Sequence, residues 1–482
     1  MQDGLGILSL MLLNLVVTWP AAESGPPRIV PAFRGQEGAL SLEKTAGRLK
    51  ANRPVTIVCL GDSVTGIYYH TGGRRAYPEM IPLAIQKVYP QAAVTAINAG
   101  ISGNSTVDGL KRLQKDVLDR KPDWVTVMFG LNDMVRVPLA EFRANLGQII
   151  RQCRNGGAEV LLCTPNSVID TPGRPRAKLV DFCDAIRQVA RNHQVPVCDI
   201  HAAYEAIRAR NPLVWRLLLS DEIHPNMDGH KLNAEEICRS ITGQAVSLRS
   251  AGPPQPAIPK TLALLKAGKP VRVLAMPPYD RLIGPAFQAL APAAKVEVTA
   301  WPTVGRTLAQ IEEAARKVRA TRPDLVLVAV PAAITPGAEA PPETAIRAYS
   351  WILNWSLSFG EQEWDVVGIA PSVLKVNLTP DEKSRDEFAR RRILAQDLSL
   401  IARPDNDPSP SERILENWLR QQLTENSDNG RVRRASSPSD GVSIDFEDWA
   451  RRPVREFTLG PGAEVVGRKE KPEAHGGDAW GP

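Results

Sequence analysis

The chain is short of several things that would define a function class. Its 59 Lys and Arg against 53 Asp and Glu leave a net charge of only +6, spread along the sequence. No dense Lys/Arg block with interleaved aromatics occurs, so nucleic-acid binding has no compositional footing. Only 6 cysteines are present, at Cys59, Cys153, Cys163, Cys183, Cys198 and Cys238. None forms a Cys-x-x-Cys pair or a Cys/His cluster, so neither a metal nor a cofactor is expected. Cys59, Cys163 and Cys198 sit in apolar strand-like runs, where cysteine serves as a small hydrophobe; disulfide pairing stays open. Long apolar runs are also missing beyond residue 19. The one near the start, Leu5 to Trp19, is short for a membrane span, and the small residues Ala21, Ala22 and Ser24 follow it. That outline predicts a secretory signal peptide over 1–24, with no Lys or Arg in its n-region, and no other integral membrane segment.

What is present is enough apolar residue, 43% of 482, for two cores. After a Pro/Gly-rich lead-in (25–43), strand and helix patterns alternate. Val55 to Leu60 is a buried-strand run ending in Gly61-Asp62-Ser63. Helical spacing over Pro78–Tyr89 follows, then strands over Val94–Asn98, Trp124–Phe129, Val160–Cys163 and Val195–Ile200 with helices between. Such alternation predicts a mainly parallel sheet covered on both faces, which carries its site at the carboxyl ends of the strands. Three of these ends carry polar turns, at Ser63, at Gly103 and at Asn132. A loop before the last helix adds Asp221-Glu222-Ile223-His224-Pro225. A hydrolytic serine needs a base, and the base needs an orienting acid; Asp221 and His224 are close enough in sequence to be that pair.

Taken together, Gly61-Asp62-Ser63, Gly103 in Ile-Ser-Gly-Asn, Gly130-Leu131-Asn132-Asp133 and Asp221 to Pro225 resemble the four sequence blocks of the SGNH, or GDSL-like, hydrolases. The resemblance covers roughly 45–243, with Val64 where the family's eponymous motif has Leu. It implies a flavodoxin-like three-layer sandwich, with Ser63 as nucleophile, His224 as general base and Asp221 as its partner. It further implies an oxyanion hole from the backbone N–H groups of Ser63 and Gly103 and the side-chain amide of Asn132. Asp62 reads as a brace of the turn and His230 as a helix-start residue.

The loop after the nucleophile, Ile67 to Tyr77, holds Tyr69, Arg74 and Arg75. Arg pairs carboxylates bidentately and Tyr stacks on sugars, so these three are candidate substrate-binding residues for a polar ligand. The competing reading has the two arginines bracing the loop against acidic neighbours.

The second half echoes the first. Lys44-Thr45-Ala46-Gly47-Arg48-Leu49-Lys50-Ala51 has a counterpart in Lys260-Thr261-Leu262-Ala263-Leu264-Leu265-Lys266-Ala267, and Pro54-Val55 in Pro270-Val271. Arg120-Lys121-Pro122-Asp123 matches Thr321-Arg322-Pro323-Asp324, and Gly103 matches Gly305. A diverged second copy of the domain is therefore expected. Tyr279, Ala333 and Asp407 stand where Ser63, Asn132 and His224 would be, and no histidine occurs between His230 and His475. That copy is expected to be inactive.

The expected layout is a catalytic domain over 44–245, a Pro-rich linker over 246–259, a degenerate α/β domain over 260–423 and a largely disordered tail over 424–482. The expected activity is secreted ester hydrolysis through an acyl-enzyme, most readily deacetylation of a carbohydrate, with a small-molecule or polysaccharide ester as partner. The alternatives are a lipid or thioester hydrolase using the same triad, and a non-catalytic binding or scaffold protein.

Overall fold

Val55–Gly61 (β1) is an unbroken run of apolar and small residues, nearly all buried, because the strand is covered on both faces. In the computed structural model, which describes residues 42–358 and 363–424, β1 pairs in parallel with Val94–Gly100 (β2) on one side and Trp124–Met128 (β3) on the other. The register sets Gly61 beside both Gly100 and Met128. Glu159–Cys163 (β4) and Val197–Cys198 (β5) complete a five-stranded, all-parallel sheet in the order β2-β1-β3-β4-β5. Helices Tyr77–Val88, Thr106–Asp116, Leu139–Asn155, Arg176–His193 and Met227–Thr242 connect and follow the strands. β5 is shorter than the predicted Val195–Ile200. Pro196 has no N–H to donate to a ladder, and Asp199 caps the helix Ile200–Arg210 by accepting the Ala202 N–H at 3.2 Å.

The second half builds another five-stranded parallel sheet. Its strands are Val271–Ala275 (β6), Val296–Ala300 (β7), Leu325–Val328 (β8), Asp365–Ile369 (β9) and Ser399–Ile401 (β10), in the order β10-β9-β8-β6-β7. Read from the other edge, this is the order of the first sheet. Small details repeat as well. Thr45 N–H donates to Glu159 Oε2 at 2.8 Å, and Thr261 N–H to Asp365 Oδ2 at 2.7 Å. Thr56 N–H meets Asp123 Oδ2 at 2.8 Å, and Arg272 N–H meets Asp324 Oδ2 at 2.9 Å. Gly103 and Gly305 have φ of 74° and 73°.

Each sheet has its own apolar core. All described residues fall in one compact unit starting at Leu40. Leu213, Val214 and Leu217, just before the Asp221 loop, are buried in the second core rather than the first. Burying such side chains is worth about 1.5–3 kcal/mol each, so the loop is tied firmly to the second half. All six cysteines are buried and unpaired. No helix among the described residues is long and apolar enough to cross a membrane. The predicted signal peptide, and the tail beyond Thr424, lie outside the described residues.

Candidate active site

β1 delivers Ser63 at its carboxyl end. Gly61 is required there, since a Cβ on it would come within 2.7 Å of the Met128 carbonyl oxygen. The turn beyond is held by Asp62. Its Oδ1 accepts the Val64 N–H at 2.9 Å, and its carbonyl accepts the N–H groups of Thr65 (3.1 Å) and Gly66 (3.0 Å). Burial pushes the Asp62 carboxyl up to about 6, against the pull of the Val64 N–H.

Ser63 Oγ lies 2.8 Å from His224 Nε2, and His224 Nδ1 lies 2.8 Å from Asp221 Oδ2. Asp221 Oδ1 accepts the backbone N–H groups of Ile223 (2.8 Å) and His224 (2.7 Å), closing the loop into a tight turn. Burial opposes ionisation of Asp221, yet the facing imidazole and these N–H donors outweigh it and hold the carboxyl well below the usual range. An ionised Asp221 fixes the proton on Nδ1 and leaves Nε2 free to accept from the Ser63 hydroxyl.

Gly103 and Asn132 sit on the loops leaving β2 and β3, the strands that flank β1. Gly103 has φ of 74°, a left-handed value that favours glycine. Asn132 Nδ2 donates to the Asn104 carbonyl at 2.9 Å, which uses one of its two amide hydrogens. Asp133 binds the two loops together, its Oδ1 accepting both the N–H (2.8 Å) and the hydroxyl (2.6 Å) of Thr106. Burial raises this carboxyl above its ordinary value. Among the described residues no group of His, Cys, Asp and Glu is arranged to hold a metal ion.

Residues 59–232 match the model of the GDSL-like lipase/acylhydrolase family. The chain is 30% identical over 172 residues to an acetylxylan esterase of Geobacillus stearothermophilus, covering 33% of this chain and 76% of that protein. The chain belongs to the GDSL-like lipase/acylhydrolase family. It is also 26% identical over 187 residues to an arylesterase of Vibrio mimicus, covering 38% of this chain and 87% of the relative. A solved lipase/acylhydrolase from Enterococcus faecalis is 31% identical, with 40% of this chain and 98% of that one covered and a TM-score of 0.34. With these esterase relatives, the protein is a carboxylic ester hydrolase.

Each of the three residues expected to bind substrate in this acylhydrolase makes contacts within the protein. Arg74 Nη1 donates to the carbonyls of Pro254 (2.8 Å) and Pro256 (3.1 Å). Arg75 makes a bidentate pair with Asp397 at 2.7 and 2.8 Å and also donates to the Gly252 carbonyl. The loop tip abuts the second half, since a Cβ on Gly72 would come within 2.7 Å of the Gln396 carbonyl. Bracing contacts to the Pro254–Pro256 stretch and to Asp397 thus occupy both arginines in this structure. Tyr69 donates its hydroxyl to Asp221 Oδ2 at 2.8 Å. His70 and His230, the first given no role and the second read only as a helix start, line up behind His224. No sequence spacing brings these residues together.

Proposed function

We propose that Ser63, His224 and Asp221 form the catalytic triad of a deacetylase acting on acylated carbohydrate. The observation that carries the triad is the pair of 2.8 Å contacts linking Ser63 Oγ, His224 and Asp221 Oδ2. As Ser63 Oγ attacks the ester carbonyl, its proton passes to His224 Nε2. Negative charge collects on the carbonyl oxygen, where the N–H groups of Ser63 and Gly103 and the amide of Asn132 are its donors. Collapse breaks the bond to the leaving alkoxide, which takes the proton from His224. A water molecule then repeats the sequence on the acyl-Ser63 and releases the acid. Asp221 stays ionised and stabilises the imidazolium formed in each half.

The substrate class is supported by the acetylxylan esterase of Geobacillus stearothermophilus, aligned over 76% of its length. Export is supported by the apolar run Leu5 to Trp19 and the small residues behind it. We read each half as a flavodoxin-like layer sandwich, the first over 44–245 and the second, after a linker over 246–259, as a degenerate copy over 260–423. Shared strand order supports this, as does the replacement of Ser63, Asn132 and His224 by Tyr279, Ala333 and Asp407.

Release of acetate from acetylated xylo-oligosaccharides and from p-nitrophenyl acetate tests the reading. Wild type turns both over, and Ser63→Ala does not. Equal, negligible rates for the two proteins would refute it.

A further inference from the structure

The loop that carries Asp221 is gripped by the other sheet's helices. Ser220, its immediate neighbour, donates its hydroxyl to Asn354 Oδ1 at 2.9 Å and accepts from Gln396 Nε2 at 3.1 Å. Arg392, wholly buried, donates to the carbonyls of Leu217 and Leu219, both at 3.1 Å. Arg216 pairs with Glu343 at 2.8 Å, and Arg347 lies 3.5 Å from Glu222. Asn354, Glu343 and Arg347 come from the helix Glu343–Ser356, while Arg392 comes from the helix Pro380–Ala395, which Gln396 directly follows.

The grip reaches a functional atom through Tyr69. Its ring stacks on Trp351 of the helix Glu343–Ser356, with centroids 5.8 Å apart and planes at 29°. Its edge meets His224 at 6.0 Å and 78°. Its hydroxyl donates to Asp221 Oδ2, the same oxygen that takes His224 Nδ1–H. With the two backbone N–H groups on Oδ1, this one carboxylate accepts four donors. The hydrogen bond to Asp221 lies within the first half, and the second half supplies Trp351, the ring on which the donor of that bond is stacked.

We propose that the second α/β half is a positioning element of the active site, acting through the Trp351–Tyr69–Asp221 chain and the Ser220 clamp to hold Asp221 and His224 in register with Ser63. The inference rests on the triad reading above. Trp351 and Tyr69 are positioning residues: they act on the reaction through Asp221. The half with no histidine, and with Tyr279 in the place of Ser63, thus sets the rate of the half that has the triad. Tyr69 has a second effect. Its O–H competes with His224 Nδ1–H for Oδ2, so it weakens the hold of the carboxylate on the imidazolium.

The test uses the full chain, with a fluorophosphonate probe to count reactive Ser63 and p-nitrophenyl acetate to measure turnover per counted site. Trp351→Ala lowers kcat per site about tenfold with KM changed by less than about twofold, since small displacements of a catalytic group are costly. Trp351→Phe, which keeps a ring against Tyr69, restores most of the loss. Tyr69→Phe removes one hydroxyl and no packing, so it tests the proposal even if Trp351→Ala does not fold. It lowers kcat per site severalfold because the carboxylate loses a donor that fixes its orientation, a loss larger than the gain from freeing Oδ2. The freed Oδ2 moves the acidic limb of kcat/KM to higher pH. The other charged or titratable groups near this limb are Asp62, His70 and His230 beside His224, and Glu222 and Arg174 beside Asp221; all stay in place. If Trp351→Ala changes only the number of reactive sites, or Tyr69→Phe leaves both rate and limb unchanged, the proposal is wrong. Failure of wild type to be labelled would instead strike the triad reading beneath it.

Discussion

The imidazole of His70 lies flat against that of His224, with centroids 4.3 Å apart and planes 8° from parallel. Behind it, His230 Nε2 stands 3.4 Å from His70 Nδ1, and His230 Nδ1 faces the Tyr77 N–H at 3.2 Å. A backbone amide only donates, so His230 Nδ1 accepts, its Nε2 carries the proton, and His70 Nδ1 accepts in turn. Burial, then the charge of His224, holds His70 well below the usual imidazole range, and burial brings His230 down to about 3. His224 therefore works against a column of two neutral rings.

His70→Phe keeps a flat ring on His224 and orphans the His230 N–H, at a cost of about 1–3 kcal/mol in stability. Its kcat stays within about threefold of wild type, whereas His70→Ala also frees one face of the base and loses about tenfold. Urea unfolding and steady-state rates measure the two effects separately. Equal rates for the Phe and Ala variants would show that the stack does nothing for catalysis.

The strands and the blocks on their ends were legible for a plain reason. A central parallel strand such as Val55–Gly61 is buried on both faces, so its apolar run has no alternation to blur it. The second sheet was legible because whole stretches, such as Lys260 to Ala267, echo the first half. What stayed hidden depends on distant contacts. Tyr69 and Asp221 are 152 residues apart, and Trp351 lies further along still. Composition places Arg74 and Arg75 on the loop after the nucleophile but does not say which side of that loop they occupy. A two-arginine signal suits an anionic ligand and a buried Asp397 equally well.

Asn132 and Gly103 make a matched pair of tests of the oxyanion donors. Asn132→Ala lowers kcat about a hundredfold or more with little change in KM, the size of effect expected for losing one preorganised donor. Gly103→Ala meets no atom within 4 Å but forces φ of 74° on an alanine. Strain of about 1–3 kcal/mol results, and a backbone that relaxes it moves the N–H, so kcat falls about tenfold. Wild-type rates in both variants would remove these residues from the oxyanion hole.

Asp62 sets a pH dependence of stability whose sign is fixed. Burial, its main cause, raises the folded carboxyl to about 6. Its contribution is therefore full below the unfolded value near 4 and is lost as pH rises through about 6. Asp62→Asn keeps an oxygen for the Val64 N–H but never ionises. Relative to wild type it gains roughly 1–2 kcal/mol in urea stability between about pH 4 and about pH 7.5. A constant difference across that range would mean that Asp62 is not held up by burial.

Arg75 and Asp397 fasten the loop after the nucleophile to the second half, with side chains only 14% and 1% exposed. Removing one partner of such a pair leaves the other charge buried, and Arg75→Ala is expected to cost about 3 kcal/mol at neutral pH. Burial already raises the Asp397 carboxyl, with Arg75 pulling it back down. Without the arginine it binds its proton more tightly still. The stability it contributes then persists at low pH and is lost as pH rises, so the variant is less destabilised at about pH 5 than at about pH 8. Asp397→Asn on the Arg75→Ala background recovers part of the loss at the higher pH by removing the orphaned charge. Throughout, KM for p-nitrophenyl acetate and for acetylated xylo-oligosaccharides stays within about twofold, because the arginine is spent on Asp397 and the Gly252 carbonyl. A tenfold rise in KM at unchanged stability would return Arg75 to the substrate.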